Sequence, residues 1–250
     1  MPFDSLSRVV ARNVDGRTVL SALRSTPPVA LRATTDGLTL VASAFGPLGG
    51  DRTRIEVLLQ DGARLRVGSA GAQVAQPGEH DVVSRASLRL DVGAGAHLHW
   101  QPRPLVVATS AEHRLRLDVR LETAASAVLV ETAVLGRGAE VPGRYRSRWR
   151  VTYAGQPLLC ADLDVGSGAA PGWDGPAAVG GARVLTTVLV VGGALPAEGP
   201  LCGGEVMRLA GPGALFSWLG NDTVGSDRAV AAVLSAVAGP ETAATSRTRT

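Results

Sequence analysis

The chain has 250 residues, 45% of them hydrophobic and 19% charged, which is enough apolar surface for a sizeable core and too much for a disordered polymer. Its formal net charge is +3, its basic side chains all being arginine without any lysine, a balance that permits an acidic partner but does not demand nucleic acid. No apolar run reaches the ~18 residues of a membrane span and the start carries no signal-peptide core, so the expected location is cytoplasmic.

Aromatic residues make up only 4%, so Val, Leu and Ala must fill the core. Residues 1–24 read as a short lead-in with one strand-like piece, Thr18-Val19-Leu20. Val29–Ala33 and Leu38–Val41 flank the turn signal Asp36-Gly37 and read as a hairpin. Next comes Gly46-Pro47-Leu48-Gly49-Gly50-Asp51-Arg52, whose glycines and proline demand a tight, irregular backbone with an acid at its exit.

Behind it a strand–turn–strand unit repeats four times. The units are Thr53–Leu59 with Ala63–Val67, Ser87–Val92 with Ala96–Trp100, Arg114–Leu121 with Ser126–Val130, and Arg148–Tyr153 with Gln156–Cys160. Their second strands recur about every 30 residues, a period that marks stacked supersecondary units. Leu88-Arg89-Leu90-Asp91-Val92 and Leu115-Arg116-Leu117-Asp118-Val119 alternate strictly, placing the aliphatics on one face and the charges on the other. The expectation is a mainly β protein of stacked antiparallel hairpins, in a solenoid-like or sandwich body.

Residues 161–182 read as a loop, Arg183–Val191 as a buried strand, and Pro196–Gly204 as another loop. Val206–Leu209 and Ala214–Leu219 add strands. The one helix is expected over Arg228–Ala238, with Ser226 as N-cap, Asp227 in the first turn and Gly239-Pro240 as the stop. Residues 1–240 form a single domain in this reading, and 241–250 a disordered tail.

Few side chains are arranged for chemistry. His97 and His99 leave the same face of a strand and have the spacing of a metal pair, but no cysteine or carboxylate lies nearby in sequence, which favours solvent-facing histidines. Arg144, Arg146, Arg148 and Arg150 alternate with Tyr145, Ser147, Trp149 and Val151. Four cations ~7 Å apart on one strand face need carboxylates on neighbouring strands or an anionic partner. Cys160 and Cys202 form no C-x-x-C pair and read as free thiols, although a disulfide between them stays open. No phosphate loop, nucleophile elbow or triad spacing is present, so the sequence offers no active site.

Several stretches together carry a resemblance. Gly49-Gly50-Asp51-Arg52 leads into Ile55-Glu56-Val57 and Gly62-Ala63-Arg64-Leu65, and is followed by Gly95-Ala96-His97-Leu98-His99-Trp100-Gln101-Pro102 and by Glu131-Thr132-Ala133-Val134-Leu135-Gly136-Arg137. In this order, over Arg8 to Ala238, they resemble the urease accessory protein UreD (UreH) family. The resemblance implies a non-enzymatic scaffold for urease maturation. Its partners are apo-urease subunits, UreF, and through UreF the GTPase UreG; the assembly is a hetero-oligomer without nucleic acid or membrane. Nickel passes in transit and no cofactor is held tightly. The implied fold is a β-helix-like stack of strands with two helices and an internal tunnel.

Carried over residue by residue, the resemblance makes Asp51 and Glu131 acids of a transient nickel path, with Arg137 the arginine of the second motif. Each has a structural alternative: Asp51 as the cap of the glycine turn, Glu131 as an ion-pair partner of Arg137 or another arginine. Arg137, Arg144, Arg146 and Arg148 are the expected interaction residues. The chain departs from the family where the polar run after Val67 is replaced by Gly68–Gln73, where Pro102-Arg103-Pro104 lacks an acid, and where Glu140 is the nearest acid after Arg137. Two other readings compete: a β-solenoid interaction scaffold with no metal role, and a metal enzyme built on His97 and His99.

Overall fold

In the computed structural model, which describes residues 2–238, the alternating stretches are strands, but most of them pair differently from hairpins. The chain begins with β1 (Asp4–Val14) and β2 (Arg17–Arg24), antiparallel to each other. Sequence reading found only a fragment of this pair. The inward positions of β1 include Ser5 and Ser7, 2% and 1% exposed, so its alternation is not written in apolar residues. The Ser7 hydroxyl is satisfied internally, accepting from the Thr26 amide at 3.0 Å and donating to the Val29 carbonyl at 3.2 Å. The expected hairpin at Asp36-Gly37 is present as β3 (Val29–Thr34) and β4 (Gly37–Ala42).

The repeats follow as β5 (Arg52–Leu59), β6 (Arg64–Ser69), β7 (Gln73–Ala75), β8 (Val83–Val92), β9 (His97–Gln101), β10 (Leu105–Val107), β11 (Glu112–Leu121), β12 (Ser126–Leu135), β13 (Arg144–Tyr153) and β14 (Gln156–Gly166). The first strands of successive units pair in parallel, giving the seven-stranded order β14-β13-β11-β8-β5-β1-β2. The second strands β6, β9 and β12 pair in parallel in the other sheet. Each turn therefore carries the chain from one sheet to the other, as in a solenoid coil. The turn bonds explain why: the Gly62 amide donates to the Ala94 carbonyl at 2.9 Å, Gly93 to Leu59 at 2.8 Å, and Ala94 to the Asp61 carboxylate at 2.9 Å. These tie one coil to the next instead of closing a hairpin. Only the fourth unit, β13 with β14, is the antiparallel hairpin expected of all four.

After residues 167–183 the chain adds β15 (Val184–Val191), β16 (Gly199–Leu201), β17 (Gly204–Arg208), β18 (Gly213–Gly220) and α1 (Thr223–Ala238). β15 extends the second sheet antiparallel to β12, and the order runs β16-β17-β18-β15-β12-β9-β6-β4-β3. Its near-continuous apolar sequence follows from burial on both faces. Leu189 and Val191 enter the core between the sheets, while Val188 and Val190 lie under Val230 and Val233 of α1. The inter-sheet core is filled by aliphatics such as Leu59, Leu90, Leu98, Leu121 and Leu129, each contributing about 1.5–3 kcal/mol.

The body is thus a mainly β, solenoid-like stack with a C-terminal helix. Among the described residues α1 is the one α-helix, against the two implied by the resemblance. No helix among the described residues is long and apolar enough to cross a membrane. The expected helix stop at Gly239-Pro240 and the tail from Glu241 lie outside the described residues.

The helix starts earlier than its sequence suggests. Asp222 caps it, its Oδ1 accepting from the Gly225 amide at 2.7 Å. Ser226 is inside the helix and buried, its hydroxyl 2.6 Å from that of Thr186 on β15, so its polarity serves docking onto the sheet. Replacing Asp222 by alanine is expected to cost about 1 kcal/mol, with Asp222→Ser close to neutral; the midpoint of urea unfolding checks this.

Candidate functional site

The glycine-rich stretch is a close backbone crossing. A side chain on Gly49 would collide with the Asp81 carbonyl and the Gly78 amide, and Gly50 has φ +94°. Gly49 donates to the Gln76 carbonyl and Gly50 to the Val83 carbonyl, both at 2.9 Å. Asp51 sits inside this crossing, 1% exposed. Its Oδ1 accepts from the Phe3 amide and its Oδ2 from the Leu48 amide, each at 2.8 Å. The carboxylate fastens the start of β1 to the loop, and it does not line the cavity described next.

Between the sheets lies a cavity of about 140 Å³, room for several waters. Its wall includes Ile55, Leu88 and Leu117 from the first sheet and Trp100 and Leu129 from the second, and reaches the loop end at Gly46, Pro47, Gly71 and Arg103. Glu131 is on this wall. The strand parity of β12 requires it, since Leu129 and Ala133 point into the core on either side. The surface that Glu131 keeps faces the cavity, and the side chain is otherwise enclosed by protein.

The partners of Glu131 come from β13 in the opposite sheet. Trp149 Nε1 donates to its Oε2 at 2.8 Å and the Ser147 hydroxyl at 3.0 Å, and Tyr145 influences its charge. Among the described residues no arginine pairs with it, in contrast to the ion pair considered from sequence. The reason is orientation: the arginines of β13 occupy the outer face and its aromatics the inner one. Burial pushes the Glu131 carboxyl up despite the opposing hydrogen bonds from Trp149, Ser147 and Tyr145. The Tyr145 hydroxyl is pushed up by burial first and then by the Glu131 charge.

His113 completes the cluster. It is 3% exposed, lines the cavity, lies 2.9 Å from the Ser84 hydroxyl through Nδ1, and stacks on Tyr145 with ring centroids 6.2 Å apart. Burial pushes its imidazole down to about 4, so it is neutral at physiological pH. The arrangement places one carboxylate, one neutral imidazole and one phenol among apolar walls. Sequence reading missed His113; its signal was the shared parity with Leu115 and Leu117.

The remaining predicted residues lie elsewhere. Arg137 bonds Glu140 through its backbone amide at 2.7 Å and its Nε at 3.3 Å, away from Glu131. Arg144, Arg146 and Arg148 stand on the outer face of the first sheet. Arg144 and Arg146 meet Asp164 at 2.7 and 3.3 Å, and Arg148 meets Asp162 at 3.0 Å. These acids belong to β14, whose second half the sequence reading placed in a loop. His97 and His99 face outward on the second sheet, 2.8 Å from Ser126 and 2.9 Å from Gln101 respectively. Among the described residues no three His, Cys, Asp or Glu side chains form a metal-holding group. Cys160 and Cys202 are free and exposed.

The family model described as UreD urease accessory protein matches residues 5–249. The Urease accessory protein UreD of Streptomyces coelicolor is 39% identical over 230 residues, covering 87% of this chain and 90% of the relative. That of Streptomyces avermitilis is 42% identical over 192 residues, covering 74% and 76%. The Frankia alni protein of the same name is 34% identical over 258 residues, covering 86% of each.

Proposed function

This chain belongs to the UreD family of urease accessory proteins, with a role in urease maturation, and we propose that it fills this role as a non-enzymatic scaffold through which nickel reaches apo-urease. In this reading it binds the urease subunits and UreF, receives nickel from UreG through UreF, and works in the cytoplasm as part of a hetero-oligomer. The observation that carries the reading is the cavity between the sheets with Glu131 on its wall. An ionisable carboxylate facing internal space is costly to keep for stability alone, since burial raises its pKa. A divalent cation entering the cavity meets one carboxyl group with neutral neighbours, too few ligands for storage. Asp51 belongs to the proposed path only through the family motif, whereas Glu131 has both the motif and the cavity.

The test is co-expression of the chain with the urease subunits, UreF and UreG, reading the nickel content and activity of urease. Glu131→Gln keeps the shape and a hydrogen-bond acceptor but removes the charge. It is expected to leave the complex intact and lower nickel loading several-fold. Full loading with this variant would remove Glu131 from the path and favour an interaction scaffold without a metal role. Failure of the wild-type chain to co-purify with any urease component, or to raise activity over a deletion control, would overturn the scaffold itself.

A further inference from the structure

Parallel strands in register set equivalent side chains side by side about 4.8 Å apart, so the outer face of the first sheet is organised in rows. One row crosses β1, β5, β8, β11 and β13 as Arg8, Glu56, Arg89, Asp118 and Arg150, alternating in sign at every step. Four residues nearer the strand starts, the row reads Asp4, Arg52, Arg85, Arg114, Arg146, Asp164. Four cations stand there in succession, with acids only at the two ends. The row between them adds Arg54, Arg116 and Arg148.

Like charges directly opposite one another destabilise a sheet. The alternating row demonstrates that the same backbone holds a self-neutralising arrangement, so folding does not ask for the arginine row. Acids approach it from the side without separating its members. Glu112 lies 2.6 Å from Arg114 and 3.9 Å from Arg146, and Asp81 lies 3.9 Å from Arg85. Arg52 has no ion pair among the described residues, and the side chains of Arg85, Arg114 and Arg146 keep 38%, 41% and 40% of their surface exposed. Arg85, Arg114, Arg116, Arg146 and Arg148 also border a shallow groove of about 420 Å³.

We propose that the Arg52–Arg85–Arg114–Arg146 row is a docking face for an acidic protein surface, which inserts carboxylates along the row. Guanidinium forks take carboxylates in paired hydrogen bonds, and bound carboxylates would supply the alternation that the row lacks. A polynucleotide fits less well. The rows contain no aromatic side chain for base stacking, Tyr145 and Trp149 of β13 being buried on the other face. Asp4, Asp162 and Asp164 flank the arginines and repel a continuous phosphate backbone. The proposal rests on the maturation reading for the complex in which the partner is found, but not for the chemistry of the face.

The experiment compares the wild-type chain with R85E/R114E and R85K/R114K, each co-expressed with the urease subunits and accessory proteins and captured at about 50 and about 300 mM salt. The double glutamate variant is expected to retain less than a tenth of the captured complex at low salt while still melting in one cooperative transition, which shows that the fold is intact. The lysine variant is expected to keep the charge-dependent part of binding. Equal capture of wild type and R85E/R114E at both salts overturns the docking face and leaves the scaffold reading standing. Should wild type capture no urease component, the scaffold reading fails, and the face is judged with poly-L-glutamate against a DNA duplex of matched charge. Preference for the peptide, abolished by R85E/R114E, supports the face; preference for the duplex, or no binding to either, overturns it.

Discussion

Replacing Asp51 by alanine is expected to destabilise the fold by about 2–4 kcal/mol, or roughly 5–15 °C in melting temperature for a chain of this size. The substitution orphans the Phe3 and Leu48 amides together, both of which now bond the carboxylate at 2.8 Å. It also releases the start of β1, the strand that continues the first sheet beyond β5. Asp51→Asn keeps one acceptor and turns an N–H donor toward the other amide, so about half or more of the loss is expected to remain. Thermal and urea unfolding of the two variants decide the matter. An Asp51→Ala chain that melts like wild type yet loads urease poorly would assign Asp51 to the cation route instead of the turn.

The second large effect is acid sensitivity centred on His113. An unfolded imidazole titrates near 6.5, whereas burial holds His113 at about 4. Between these values the unfolded chain binds a proton that the folded chain refuses, so stability falls as pH drops through the window. The full loss for this one group is about 3 kcal/mol. His97 and His99 are also pushed down, by burial first, but both are only half-buried and add less. Glu131 works in the opposite sense. Its folded pKa is raised, so its contribution is lost as pH rises above the usual glutamate range. His113→Gln, which retains a partner for the Ser84 hydroxyl, is expected to flatten the fall in stability between pH 6.5 and 4. Unchanged pH dependence in the variant would show that the imidazole is already protonated or solvated in the fold.

These two residues mark the limits of reading the chain without its fold. Asp51 was visible as an acid leaving a glycine turn, but its two amide donors come from Leu48 three residues away and Phe3 forty-eight residues away. Only the second contact needs the stack. His113 shares the parity of Leu115 and Leu117, but its environment is made by Ser84 and Tyr145 on the two neighbouring strands, which no local pattern reveals. Glu131 was picked out by a motif, while the identity of its partners required knowing that β12 and β13 face each other across the core. The arginines of β13 were legible as a row along one strand. Their continuation sideways through Arg52, Arg85 and Arg114 was not, since it depends on register between strands about 30 residues apart in sequence.

The amino-acid sequence by itself determined the mainly β character, the repeated strand–turn–strand unit, the inward face of most strands, the C-terminal helix and the family. Period-2 alternation and glycine placement are local properties, and burial of one strand face follows from them directly. Tertiary structure alone decided whether paired strands close as hairpins or pass between sheets. That choice turns on whether turn amides bond their own strand or the next coil, and the same turn residues serve both. It also decided that one carboxylate, Asp51, is a backbone clasp and another, Glu131, borders internal space. Both are acids on a β scaffold; what separates them is their donors, backbone amides of Phe3 and Leu48 for Asp51 and side chains of β13 for Glu131.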